Sequence, residues 1–244
     1  MSNYTLNING FNIDAYYNDE DIKNVFVPLL KSWTDLQKEK DKRIFVYLVA
    51  PPGTGKSTLA TFLEKLSKEY ADITDIQSVG IDGFHYNQEY LASHFSTKDA
   101  SILLKSIKGS PETFDVKKLE NKIIESLEKD IAYWPTYSRI LHDVIDNDIQ
   151  LNSSIILLEG NYLLLNNDPW NKLKKYADQT IFINSDPSEL KNKLIERKID
   201  GGLTQKEATE FFKITDEPDI YIVLHESTKP NIYLNYKNGR FTFA

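Results

Sequence analysis

Phe45-Val46-Tyr47-Leu48-Val49-Ala50-Pro51-Pro52-Gly53-Thr54-Gly55-Lys56-Ser57-Thr58-Leu59-Ala60 decides the fold of this chain. Its first five residues are apolar or aromatic and read as a buried strand. Two prolines and two glycines punctuate a tight turn, and helix-forming residues run on to about Glu69. Residues 50–57 fit the phosphate-binding loop pattern, with Ala50 in place of the first glycine. Pro52, Gly53, Thr54, Gly55, Lys56, Ser57 and Thr58 are therefore the expected nucleotide-binding segment. Backbone N–H groups of such a loop converge on a phosphate, and the helix start adds the positive end of its dipole. Lys56 is placed to reach the β- and γ-phosphates, and the Ser57 hydroxyl to sit on Mg²⁺.

The rest of the composition narrows the setting. The chain has 244 residues, 41% hydrophobic and 27% charged, which suits an α/β domain with a full core. A net charge of −7 argues against broad nucleic-acid binding. The absence of cysteine excludes disulfides and thiolate metal sites. No signal peptide is legible, and no apolar run approaches the ~20 residues that cross a bilayer. The cytoplasm is the default expectation; homodimer formation is left open.

Taken in order, Tyr4–Ile8 and Phe11–Ala15 alternate around Asn9-Gly10, a hairpin signal with a type I′ turn. An apolar stripe from Ile22 to Leu36 reads as a helix that packs on the core, split or kinked at Pro28. Residues 1–40 are thus expected as a hairpin and helix laid against a domain of residues 41–244. Ile76–Ile81 is a second strand, ending in Asp82-Gly83-Phe84-His85. Residues 85–150 read as an insertion of helices with polar connections, about Asn87–Ser93, Thr97–Ile107 and Val116–Leu127. Further strands follow at Ser153–Leu158 and Gln179–Asn184, then a charged helix, a capping box at Thr204–Glu207 and a second hairpin around Asn238-Gly239. Strands separated by helices predict a parallel, doubly wound sheet whose ligands lie at the strands' carboxyl ends. Ala50, Asp82 and Glu159 each fall at such an end.

These residues carry the chemistry. Asp82 is the candidate general base, with a water-mediated role at Mg²⁺ and a turn-capping role as alternatives. Glu159 closes an apolar strand as a metal-supporting acid does, although exposed acids after strands are common. His85 either contacts an acceptor or satisfies loop backbone. Arg139 either binds an anion or is a surface arginine. Arg197, with Lys198, either swings over phosphates as part of a lid spanning 197–218 or simply favours a helix C-terminus.

The motif series is the phosphate loop, Asp82-Gly83-Phe84-His85, Gly109-Ser110-Pro111-Glu112-Thr113-Phe114-Asp115, Pro135-Thr136-Tyr137-Ser138-Arg139 and Leu158-Glu159-Gly160-Asn161-Tyr162. It resembles the phosphoribulokinase, uridine kinase and pantothenate kinase superfamily from about Arg43 to Pro230, nearest the bacterial nucleoside/nucleotide kinase-like or fructose-transport kinase-like branch. The resemblance implies a three-layer P-loop fold on a five-stranded parallel sheet, with an acceptor-side helical insertion, a lid and terminal β-hairpins as additions. It also implies an ATP- and Mg²⁺-dependent kinase acting on a hydroxyl of a small polar metabolite such as a sugar, glycerate, a nucleoside or a pantothenate-like alcohol. Asp82 would then be the base, Lys56 and Ser57 the phosphate and metal contacts, Glu159 the metal support, and Arg197 the lid cation. His85, Lys108, Tyr137 and Arg139 are the expected acceptor contacts. Departure from the Tyr-Asp-Phe pattern at residues 135–143 argues against a pyrimidine nucleoside. A P-loop ATPase or a nucleotide-sensing module working through a protein partner is the competing reading.

Overall fold

The first hairpin pairs as its alternation dictates: β1 (Ser2–Ile8) runs antiparallel to β2 (Phe11–Tyr17), Ser2 opposite Tyr17 and Ile8 opposite Phe11. The structure is a computed structural model that describes every residue except Asn9 and Arg139. The type I′ turn expected at Asn9-Gly10 and the role expected for Arg139 therefore lie outside the described residues. Helix α1 covers residues 19–40, capped by the Asn18 side chain. Pro28 does not split it. A π-helical turn at Ile22–Phe26 precedes the proline, whose missing N–H falls at the start of the regular Val27–Lys40 segment.

β3 (Ile44–Val49) is buried at all six positions. Ile44, Val46 and Leu48 enter one apolar core, while Phe45, Tyr47 and Val49 enter another. Such a strand is covered on both faces. Helix α2 (Lys56–Ser67) follows the glycine turn, and β4 (Ile76–Gly80) returns to the sheet. The sheet order ends β8-β3-β7-β4, with β7 (Ile155–Glu159) and β8 (Gln179–Asn184) flanking β3 in parallel. Register sets Glu159 level with Leu48 on one side and Gly80 on the other.

The C-terminal hairpin is part of this sheet rather than an addition to it. β9 (Ile232–Lys237) pairs in parallel with β8 and supplies the fifth parallel strand; β10 (Arg240–Phe243) adds an antiparallel sixth. The N-terminal hairpin packs elsewhere. Tyr17 stacks on Phe62 of α2 with ring centroids 3.8 Å apart, and Leu6, Ala15 and Tyr17 join the core on that face. Buried Asp21 accepts hydrogen bonds from Arg240 Nε and the Phe241 N–H, both at 2.8 Å, tying α1 to the last strand.

The insertion is helical only in part. α3 (Gln88–Ser93) and α4 (Val116–Glu128) lie where the sequence suggests, the second capped by Asp115. Residues 97–107 form only a 3₁₀ turn at Leu104–Ile107. β5 (Ala132–Ser138) pairs antiparallel with β6 (Asp143–Leu151). Pro135 hides it from a pattern search, because a register shift between Trp134 and Thr136 interrupts the alternation there. Trp134 is fully buried and donates its indole N–H to the Gly80 carbonyl at 2.9 Å, pinning the hairpin to the sheet edge. After β8 come α5 (Pro187–Asp200) and α6 (residues 205–226), the latter opened by the Thr204–Glu207 capping box and carrying a π turn at Phe212–Asp216. They share a small apolar core of their own, including Leu190, Leu194, Ala208 and Phe212.

Candidate active site

The phosphate loop is built by two left-handed glycines. Gly53 has φ +82° and Gly55 φ +86°, a region that costs glycine nothing. A Cβ at Gly53 would also stand 2.9 Å from Leu194 Cγ, so α5 rests on this loop. The Thr54 hydroxyl donates to the Pro51 carbonyl at 2.8 Å and fixes the bend.

Glu159 reaches this loop from the tip of β7. Its Oε1 accepts from the Ser57 hydroxyl at 2.7 Å, and its Oε2 lies 3.7 Å from Lys56 Nζ. Both charged side chains are largely buried, at 12% and 15% exposure. Burial pushes the Glu159 carboxyl above its usual range; the Lys56 ammonium opposes that rise and the nearby Asp82 adds to it. The site is therefore a short hydroxyl–carboxylate–ammonium chain on which Asp82 also acts electrostatically. Ser57, Asp82 and Glu159 line one cavity of about 440 Å³.

Asp82 is exposed and sits in a 3₁₀ turn. The glycine after it is required by contact: a Cβ at Gly83 would stand 2.2 Å from the Pro135 carbonyl oxygen. The turn is thus clamped against β5 by backbone packing. His85 is stacked on Phe114 at 3.8 Å, and its Nδ1 lies 3.2 Å from the Thr113 carbonyl, which makes that nitrogen the N–H donor. Burial lowers the pKa of this imidazole; Asp82 works against the shift. Lys108 Nζ donates to the Tyr137 hydroxyl at 2.7 Å and lies 4.2 Å from the center of that ring. Tyr137 in turn meets His85 edge-on at 6.1 Å. His85, Lys108 and Tyr137 therefore form one group beside Asp82. Arg197 stands in the last turn of α5, one helical turn beyond Leu194, and has no ion pair among the described residues.

The oxygen donors suit Mg²⁺. Ser57 offers a hydroxyl and Glu159 a carboxylate, a hard-ligand set that leaves other positions for water and phosphate oxygens. No group of three or more acids and histidines that could hold a metal by itself occurs among the described residues.

Several residues of this region carry no sequence signal. Leu194 looks like any helix apolar residue. Asp219 is buried, and burial pushes its carboxyl up to about 7 against the opposing influence of the Tyr162 hydroxyl. Asp216 has a buried oxygen without a partner and is likewise raised by burial, against the pull of Lys198 and Arg197. An Asp-Glu-Pro-Asp string reads as solvent-facing, so only the fold shows these acids turned inward.

No family model matches the chain. It is 39% identical over 241 residues to the uncharacterized protein YggC of Escherichia coli, covering 98% of each chain. It is 26% identical to the Schizosaccharomyces pombe protein named "Putative uridine kinase C227.14", over 94% of each chain. A pantothenate kinase from Levilactobacillus brevis is 25% identical over 73% of this chain and 62% of its own length. Among solved structures, a protein from Silicibacter sp. TM1040 named "putative fructose transport system kinase" superposes with a TM-score of 0.72 at 22% identity, covering 85% of this chain and 98% of that one. No helix is long and apolar enough to cross a membrane among the described residues.

Proposed function

This chain belongs to the phosphoribulokinase, uridine kinase and pantothenate kinase superfamily of P-loop kinases, and from that premise we propose that it transfers the γ-phosphate of ATP to a hydroxyl of a small polar metabolite. One observation carries this reading above all: Glu159 holds both Lys56 and Ser57 at the phosphate loop, while Asp82 opens into the same cavity as Ser57 and Glu159.

The loop backbone from Gly53 to Thr58 binds the nucleotide phosphates, and Lys56 turns its ammonium to the β- and γ-oxygens. Ser57 and Glu159 would hold Mg²⁺, which when bound neutralises charge on the phosphates. Asp82 accepts the proton of the attacking hydroxyl, a contribution of roughly 10²–10⁴-fold. His85, kept neutral by burial and oriented by Thr113, has its other ring nitrogen free to accept from the acceptor. Lys108 and Tyr137 orient that molecule. Arg197, carried on the helix that rests on Gly53, closes over the transferred charge.

A labelled-ATP screen over sugars, sugar acids, glycerate, nucleosides and pantothenate-like alcohols tests the proposal. Transfer to at least one of them, lost in Asp82→Asn with ATP affinity kept, is the expected result. Tight ATP binding with no transfer to any hydroxyl compound would overturn it.

A further inference from the structure

The cavity that holds Ser57, Asp82 and Glu159 does not end at the reacting groups. It continues along one face of α2 through Thr61 and Lys65, and its far wall is β1, residues Thr5 to Ile8. Ser57, Thr61 and Lys65 are spaced by four, so they lie in a row on the helix. Eight residues of helix rise about 12 Å, which is the length of the groove from Ser57 to Lys65. Between its ends the lining mixes apolar side chains with Thr61, Ser78 and Thr136 on three different elements, the Ser78 hydroxyl donating to Glu64 at 2.7 Å.

Charge differs between the two ends. Asp82 and Glu159 stand at the first. At the second, Glu64 is already satisfied: its Oε2 accepts from the Ser78 N–H at 2.9 Å and its Oε1 pairs with Lys68 at 3.1 Å. Lys65 has no carboxylate partner among the described residues; its nearest polar contact is the Thr5 carbonyl at 3.5 Å, and its Nζ lies 5.6 Å from the Tyr4 ring. It is a cation facing the hairpin at the end of the groove.

We propose that the acceptor site extends from Tyr137 along this groove, that the N-terminal hairpin is its outer wall, and that the acceptor is an elongated polyhydroxy compound whose far end is an anion held near Lys65. The assignment rests on the kinase reading above. Carboxylate and phosphate ends share the chemistry, and matched pairs separate them: sorbitol against gluconate for the first, ribose against ribose 5-phosphate for the second.

The experiment measures ATP-dependent phosphorylation of these four compounds, and of anionic and neutral members of the wider screen, by wild type, Lys65→Ala, Lys65→Glu and Ile8→Trp. In wild type an anionic member should exceed its neutral partner in kcat/KM by about five- to tenfold, the scale of one charge-assisted contact that is partly open to water. Lys65→Ala should erase that preference and Lys65→Glu should invert it, with the KM for ATP unchanged, and far-UV circular dichroism shows the variants to be folded. Ile8→Trp, which thickens the wall, should raise the acceptor KM and leave the KM for ATP alone. A preference for neutral compounds, or an anion preference that ignores Lys65→Glu, overturns this assignment and leaves the kinase reading standing. Failure of transfer across the whole screen removes both.

Discussion

The two sides of the cleft are built differently. On the phosphate side, the loop and its helix are contiguous in sequence, and one distant residue, Glu159, satisfies two of its neighbors. On the side we propose for the acceptor, Asp82, Tyr137 and residues 5–8 of β1 line one cavity, and His85 and Lys108 contact Tyr137, all from segments separate in sequence. The first side is determined by local backbone geometry, which many related chemistries share. The second depends on long-range contacts, and in the proposed reaction it is the side that would discriminate one hydroxyl compound from another.

The comparison can be broken most forcefully at Asp82. Asp82→Asn should lower kcat by roughly 10²–10⁴-fold, while ATP affinity by calorimetry stays near wild type. Equal losses in both would mean that the two sides are not separable. Glu159→Gln acts on the opposite side. It leaves Lys56 without its counter-charge and should cost roughly 10–100-fold in activity, together with a higher Mg²⁺ requirement in a metal titration. Gly83→Ala probes the clamp that joins the sides. Its methyl group would press on the Pro135 backbone, and urea unfolding should show a loss of about 1–3 kcal/mol.

The gentlest test uses pH. Asp219 is raised to about 7 by burial, so the folded chain keeps it protonated where the unfolded chain ionises it. Its stability contribution is fully present below the ordinary aspartate range near 4 and is lost as pH rises through about 7. Asp219→Asn should therefore leave stability unchanged at pH 4 and increase it at pH 8. Thermal melts at the two values measure the difference, and an equal shift at both would show that burial of this acid is not its cause.

Legibility from sequence follows the same division. Phe45 to Ala60 announces strand, loop and helix because the pattern is continuous, and the parallel sheet follows from the strands and helices that come after it. The β5–β6 hairpin escaped because Pro135 interrupts its alternation and β6 is largely polar, so no periodic apolar signal survives. The C-terminal hairpin was legible as a hairpin but not as the strand that completes the parallel set, since pairing with β8 is a tertiary choice. Ser57 and Glu159 were legible as candidates, yet the bond between them spans 102 positions and belongs to the fold alone. The groove beneath β1 has no motif, because its residues are ordinary polar side chains that matter only by where they stand.

Leu194 fills the volume that any side chain at position 53 would need. The glycine therefore keeps two obligations at once, one to backbone torsion and one to a neighbor on another helix. A displacement of α5 toward the phosphate loop would press Leu194 on Gly53, so a probe attached to α5 should report nucleotide binding at the loop without touching the nucleotide.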